Sequence, residues 1–104
     1  MTIKQITAKD LTRNQMTTED GFKLFDAMDK ELSNGHKIEV SFKGIHGLNS
    51  SYINGAFVNL LAHYPMDFIQ THVAIKHSTR QINELIKDRM AFENKRQVEN
   101  LKGV

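Results

Sequence analysis

The chain has 104 residues, of which 39% are hydrophobic and 25% are charged, and this balance is typical of one folded domain with a single core. It has no cysteine, which excludes disulfide bonds and thiolate metal sites, and its five histidines show no metal-ligand spacing. The net charge is +2, and the basic residues near the C-terminus alternate with acidic ones, so the charge pattern argues against a nucleic-acid partner.

The N-terminal third predicts a short strand followed by a helix. Residues 2–7 resemble a strand, and a polar connection follows in which Leu11 and Met16 are the candidate anchors. Thr17, followed by two acidic residues, is typical of a helix start, and Asn34-Gly35 is typical of a helix end. The predicted buried stripe of this helix, with Leu24 flanking it, consists of Phe22, Phe25, Met28 and Leu32.

The middle of the chain changes its apolar period from two residues to nearly four. Residues 38–42 alternate, with Ile38, Val40 and Phe42 on one side, which predicts a strand with one buried face. The helix that follows ends at Tyr64-Pro65, since proline cannot continue it. Its predicted stripe is Ile53, Ala56, Phe57, Leu60 and Leu61.

The last third predicts a strand over 71–76, with Phe68 and Ile69 leading into it, and a long helix after it. Ser78–Gln81 resembles a capping box at the start of that helix, whose stripe is Ile82, Leu85, Ile86 and Met90, with Phe92 beside it. We therefore expect one domain over residues 1–95. Residues 96–104, in which Val98 and Leu101 are isolated, form either a helix extension or a frayed tail.

The order of elements is β-α-β-α-β-α, which indicates a small α/β sandwich. We expect a three- to four-stranded mixed sheet with parallel β-α-β crossovers and about three helices. Residues 38–42 should be an interior strand, parallel to residues 72–76. No signal peptide and no apolar run of membrane-spanning length occurs, so we expect a cytoplasmic protein without a membrane partner.

The candidate functional residues lie in the loop that joins the second strand to its helix. The loop ends in three residues of types that commonly cap helices, Asn49, Ser50 and Ser51. The serine hydroxyls, at the carboxyl edge of the sheet and at the positive end of a helix dipole, either cap the helix or face an anion. A nucleophilic Ser50–His46 pair lacks an orienting acid and an oxyanion motif, so we expect no enzyme and no cofactor. The candidates are Gly44, His46, Gly47, Leu48, Asn49, Ser50, Ser51 and Tyr52.

The stretch EVSFKGIHGLNSSYINGAFVNLL resembles the strand, loop and helix of STAS domains, the fold of bacterial anti-sigma-factor antagonists. It is more similar still to the STAS-like family of uncharacterised function, in which a helix starting as in TTEDGFKLF precedes this strand. The serine pair followed by an aromatic residue corresponds to Ser50-Ser51-Tyr52. The resemblance covers about residues 17–90.

The resemblance implies a regulatory module that binds a protein partner. In the antagonists, a partner kinase of the GHKL ATPase type phosphorylates a serine at this helix start, and the phosphate selects the partner that is bound. The matching serine is Ser50, and His46–Leu48 with the exposed face of helix 50–63 would form the docking surface. Three alternatives stay open: a fixed adaptor, a homodimerisation domain in which Ser50 only caps, and a small-anion or nucleotide binder using loop 44–51.

Overall fold

The computed structural model describes the backbone of residues 2–102 and the side chains of residues 2–99. The strands are β1 (Ile3–Thr7), β2 (Lys37–Ser41) and β3 (Val73–Lys76), and four of the five helices are α1 (Ala8–Leu11), α2 (Thr18–Ser33), α4 (Met66–His72) and α5 (Arg80–Lys102). The remaining helix, α3, runs through residues 50–63 as an α-helical turn (Ser50–Ile53), a π-helical turn (Asn54–Val58) and a second α-helical turn (Asn59–His63).

The sheet has three strands in the order β1-β2-β3, and both pairs are parallel. The prediction that 38–42 is interior and parallel to the later strand is confirmed, whereas the mixed sheet and the fourth strand are not found in residues 2–102. The two additional helices are α1 and α4. Residues 66–72, with Phe68 and Ile69, form α4 rather than a lead into the strand.

The register of the sheet decides which side chains face the core. Ile6, Val40 and Ile75 are directly paired across the three strands, and all three point to the face that the helices cover. Because consecutive parallel strands joined by right-handed crossovers place all their helices on one face, β1-β2-β3 order leaves the other face bare. Glu39 and Ser41 lie on this uncovered face, half-buried, between the flanking strands.

The core lies between the sheet and the pair α2 and α3. The side chains of Leu24, Met28, Val40, Phe42 and Ala56 are fully buried there. Two predictions of buried residues are wrong. Phe22, expected in the buried stripe of α2, is 45% exposed while Leu24 is buried, and neither Leu11 nor Met16 anchors the connection before α2, since both are exposed.

The ends of the helices follow the capping chemistry in the sequence. The Thr17 hydroxyl accepts a hydrogen bond from the Asp20 amide (3.1 Å) and donates one to the Asp20 carboxylate (2.9 Å). Gly35 ends α2 with φ +84°, a conformation that glycine adopts without strain. At the start of α5 the cap is Thr79, whose hydroxyl accepts from the Ile82 amide at 3.1 Å, so the predicted capping box over Ser78–Gln81 is wrong by one residue.

The C-terminal tail is a helix extension through Lys102. Val98 is 41% exposed, and Arg96 contacts Glu93 at 3.2 Å. The Leu101 side chain and residues 103–104 lie outside the described residues. Within residues 2–102, no helix combines the length and the apolar character that a bilayer crossing requires.

Candidate functional site

The loop between β2 and α3 is anchored at both ends. The Phe42 amide donates to the Lys76 carbonyl (3.0 Å), which continues the pairing of β2 with β3 by one residue. The Ile45 amide then donates to the Phe42 carbonyl (3.0 Å) in a turn that Gly44 completes with φ +81°. Ile45 itself is buried, so the loop is fastened to the core midway along its length.

Asn49 is the residue that caps α3. Its side-chain oxygen accepts from the Tyr52 amide (3.1 Å), and its side-chain nitrogen donates to the Met16 carbonyl (2.8 Å). Its own amide donates to the Gln15 carbonyl at 3.1 Å. One side chain thus satisfies the first turn of α3 and ties it to the segment before α2. Of the three capping candidates in the sequence, Asn49 is the cap, and neither serine hydroxyl has this role.

Ser50 consequently does not cap α3. It is exposed at the first position of α3, and no described residue makes a hydrogen bond to its hydroxyl. The first amides of the helix that donate within the protein are those of Tyr52 and Ile53. A charged group on Ser50 would therefore meet solvent and the positive end of the helix dipole.

The other candidate residues divide into accessible and buried ones. His46 and Gly47 are exposed, and Leu48 and Ser51 are half-buried. Tyr52, in contrast, is fully buried, so it cannot contribute to a partner surface as the sequence suggested. Its hydroxyl lies beside Thr12 and Asp20 without a well-formed hydrogen bond to any described residue, and burial raises the pKa of Tyr52.

The accessible surface of α3 is smaller than the sequence predicted. Only Ser50, Ala62 and His63 of this helix are exposed, because α3 packs between α2 and α5. A partner could reach the start of α3 and the loop before it. A depression of about 80 Å³ lies between this loop and the first turns of α5. We call this region the docking surface; its residues are His46, Gly47, Leu48, Ser50 and Ser51.

Histidine and serine do meet in the structure, although not where the sequence suggested. No described contact joins His46 to Ser50, whereas Ser41 Oγ and His77 Nδ1 are 3.1 Å apart on the uncovered face of the sheet. This pair is not among the functional residues that the sequence predicted. The signal was present in the alternation of β2, in which Ser41 points to the face of the sheet away from Val40. It was also present in the histidine that directly follows the neighbouring parallel strand.

Comparison with protein families gives one match. Residues 20–83, more than half of the chain, match the family described as a STAS-like domain of unknown function. The chain belongs to this family. No curated protein and no solved structure matches it. The matched segment of this STAS-like domain begins in the first turn of α2 and ends in the first turn of α5, so it contains the whole docking surface.

Proposed function

We propose that this STAS-like domain is a non-enzymatic regulatory module that binds a protein partner, and that phosphorylation of Ser50 controls the binding. The observation that carries the proposal is the position of Ser50, which is exposed at the start of α3 while Asn49 does the capping. A serine freed from a structural role, at a helix N-terminus and within an accessible surface, suits a phosphoacceptor.

The electrostatics of this position suit a phosphate. A phosphoserine carries a charge of about −1.5 to −2, which the N-terminus of α3 stabilises, so the fold should tolerate the modification. The same charge would lie beside Leu48, which packs against the core and is only partly covered. An apolar partner group docked there would have to desolvate the phosphate, and binding would weaken.

The loop lacks the glycine-rich motif of a phosphate cradle, since Gly44 and Gly47 are its only glycines. We therefore favour a protein partner over a bound nucleotide at this loop. The kinase that we propose is a GHKL-type ATPase, as in the antagonists that the sequence resembles. Since such a kinase would use ATP and the antagonists are bacterial, we propose that the phosphorylation takes place in the cytoplasm of a bacterium.

The first test asks whether Ser50 is free of a structural role. Ser50→Ala should change the free energy of unfolding by less than about 0.5 kcal/mol, whereas Asn49→Ala should lower it by about 1 kcal/mol. Chemical denaturation of both variants measures the difference. A larger loss in Ser50→Ala than in Asn49→Ala would return Ser50 to the role of helix cap.

The second test measures binding to a GHKL-type ATPase encoded beside this chain. Intact-mass spectrometry should show one phosphate on the wild type and none on Ser50→Ala. In calorimetric titrations, Ser50→Ala should bind like the wild type and Ser50→Asp at least about tenfold more weakly. Gln70→Glu is the matched control, because it adds one charge on α4, at the opposite edge of the sheet. Equal affinities for all four proteins would indicate a fixed adaptor.

A further inference from the structure

An uncovered face is unusual for a parallel sheet. Parallel sheets nearly always have both faces covered, and their strands are then apolar on both sides. Here the second face is polar: Gln5 and Glu39 are paired across β1 and β2 in the register of the sheet, and so are Thr7 and Ser41. A polar face is unsuited to a packed helix, but it can surround a polar ligand.

A cleft of about 450 Å³ lies on this face, toward the carboxyl ends of the strands. This volume is within the range of about 300–1,000 Å³ that is usual for small-molecule sites. In open parallel sheets, ligands bind outside the carboxyl ends of the strands. The cleft therefore has the size and the location of a ligand site, on the face opposite the helices.

A lysine lies at the end of each strand, or shortly after it, at this edge of the sheet. Lys43 comes after β2 and Lys76 ends β3, and both line the cleft. Lys9 reaches the same edge from α1, and its Nζ lies against Gly44, 3.0 Å from the position that a β-carbon would have there. Because the strands are parallel, three ammonium groups come from three separate parts of the chain to one edge.

The carboxylate in the cleft is already engaged. Glu39 accepts a hydrogen bond from Gln5 Nε2 (3.4 Å) and lies 3.9 Å from Lys76 Nζ. Neither Lys43 nor Lys9 forms an ion pair with any residue among 2–99. The edge thus keeps an excess of positive charge over the single acid that faces it.

His77 has an unfavourable backbone conformation. Its φ is +51°, in the left-handed region where a non-glycine residue is strained. In this conformation its ring lies beside the end of β2, with Nδ1 3.1 Å from Ser41 Oγ, and the same hydroxyl accepts from the Lys43 amide at 3.2 Å. An imidazole and a hydroxyl thus lie beside each other in the cleft that the two lysines also line.

We propose that this cleft binds the phosphoryl group of a small molecule. Lys43 and Lys76 provide the charge, and His77 and Ser41 provide further hydrogen-bonding groups beside them. Ammonium groups bind phosphate oxygens through short, charge-assisted hydrogen bonds. The site is separate from the docking surface and does not depend on Ser50, so it adds a ligand to the proposed partner binding.

The test is a titration of the wild-type chain with pyrophosphate and with a nucleoside monophosphate at constant ionic strength, followed through backbone amide NMR shifts. We expect saturable shifts that are largest at Ser41, Lys43, Lys76 and His77. Lys43→Gln and Lys76→Gln should each weaken binding about fivefold or more, since each removes a charged contact. Lys95→Gln, which removes the same charge from an exposed position on α5, should leave binding unchanged.

Three results would overturn the proposal. The first is a titration without saturation, and the second is a loss of affinity in Lys95→Gln equal to that in Lys43→Gln, which would indicate only a response to net charge. The third is saturable shifts centred on Ser50 and Ser51, which would move the anion site to the start of α3. The amide spectra of the variants also show directly that each one is folded.

Discussion

The close approach of α2 and α3 at Gly21 and Gly55 can be tested by adding a single methyl group. A β-carbon on Gly21 would lie 2.4 Å from the Tyr52 carbonyl oxygen and 2.9 Å from the Gly55 α-carbon. A β-carbon on Gly55 would lie 2.4 Å from the Thr18 carbonyl oxygen. The obstructing atoms are all backbone, so no side-chain rotation relieves the overlap, and the two helices have to separate.

Two effects of opposite sign decide the outcome of Gly21→Ala. Alanine is favoured over glycine in a helix by about 1 kcal/mol. Overpacking costs about 1–3 kcal/mol, and a rigid backbone neighbour at 2.4 Å places the cost at about 3 kcal/mol or more. The net loss of unfolding free energy is then about 2 kcal/mol or more, which lowers the Tm by roughly 8–16 °C for a domain of this size.

Thermal unfolding by circular dichroism measures the effect, with Gly47→Ala as the matched control. No atom lies within 4 Å of a β-carbon at Gly47 and its φ is not positive, so that variant should be neutral or more stable by about 0.4–1 kcal/mol. Since Gly21 and Gly55 face each other, the double alanine variant should lose less than the sum of the single losses. An unchanged or raised Tm in Gly21→Ala would show that the helices separate without cost, and would refute the reasoning.

Two further predictions concern the tail and the tyrosines. Deletion of 96–104 should leave the domain folded with a Tm close to that of the wild type, because Val98 is 41% exposed and the buried Glu93, which loses the exposed Arg96, keeps its ion pair with Arg89. An unfolded product on circular dichroism would contradict this prediction. Burial, together with the hydrogen bond to Asp29 (2.6 Å), raises the pKa of Tyr64 to about 12, and burial also raises that of Tyr52. Less tyrosinate absorbance should therefore develop near pH 10 in the folded chain than in the chain unfolded in urea. The stability that the neutral tyrosines contribute below about pH 10 should be lost as the pH rises toward 12. Coincident titration curves for the folded and unfolded chains would contradict the pKa shift.

Much of the fold could be predicted because its signals are local. The alternation of Ile38, Val40 and Phe42 identified β2, and all three side chains are buried as expected. The threonine cap of α2 and the proline after α3 also act within a few residues of their own positions. Features of this kind require no knowledge of what the chain packs against.

The buried face of α2 was predicted correctly at Phe25, Met28 and Leu32 but wrongly at Phe22, because the contact with α3 is made by a residue without a side chain. A search for large apolar residues selects Phe22 and ignores Gly21. The helix nevertheless turns Gly21 toward α3, since only glycine permits the backbone contact with Gly55. Leu24, Met28 and Leu32 then lie on the buried side, and Phe22 is left 45% exposed.

Helix α4 was missed although its signal is local. Phe68 and Ile69 look like the beginning of a strand, but Tyr64, Phe68 and His72 are spaced four residues apart. In the structure the rings of Phe68 and His72, one turn apart in α4, stack with centroids 3.9 Å apart, and the ring of Tyr64, which precedes the helix, stacks on Phe68 at 5.0 Å. A ring pair four residues apart stabilises a helical turn.

The way in which α3 is held determines how a phosphate on Ser50 can act. Asn49 ties the start of the helix to the Gln15 and Met16 carbonyls, and the next turn packs against Gly21 through its backbone. At the π-helical turn, Arg89 Nε and Nη2 both donate to Asn54 Oδ1, at 3.1 and 3.0 Å.

A helix fixed at all three places cannot move in response to one surface charge, so the proposed switch has to change the potential of the docking surface rather than its shape. Ser50→Asp should accordingly shift amide NMR resonances only near the loop and the first turn of α3. Shifts that extend through α2 or α5 would instead indicate that α3 moves.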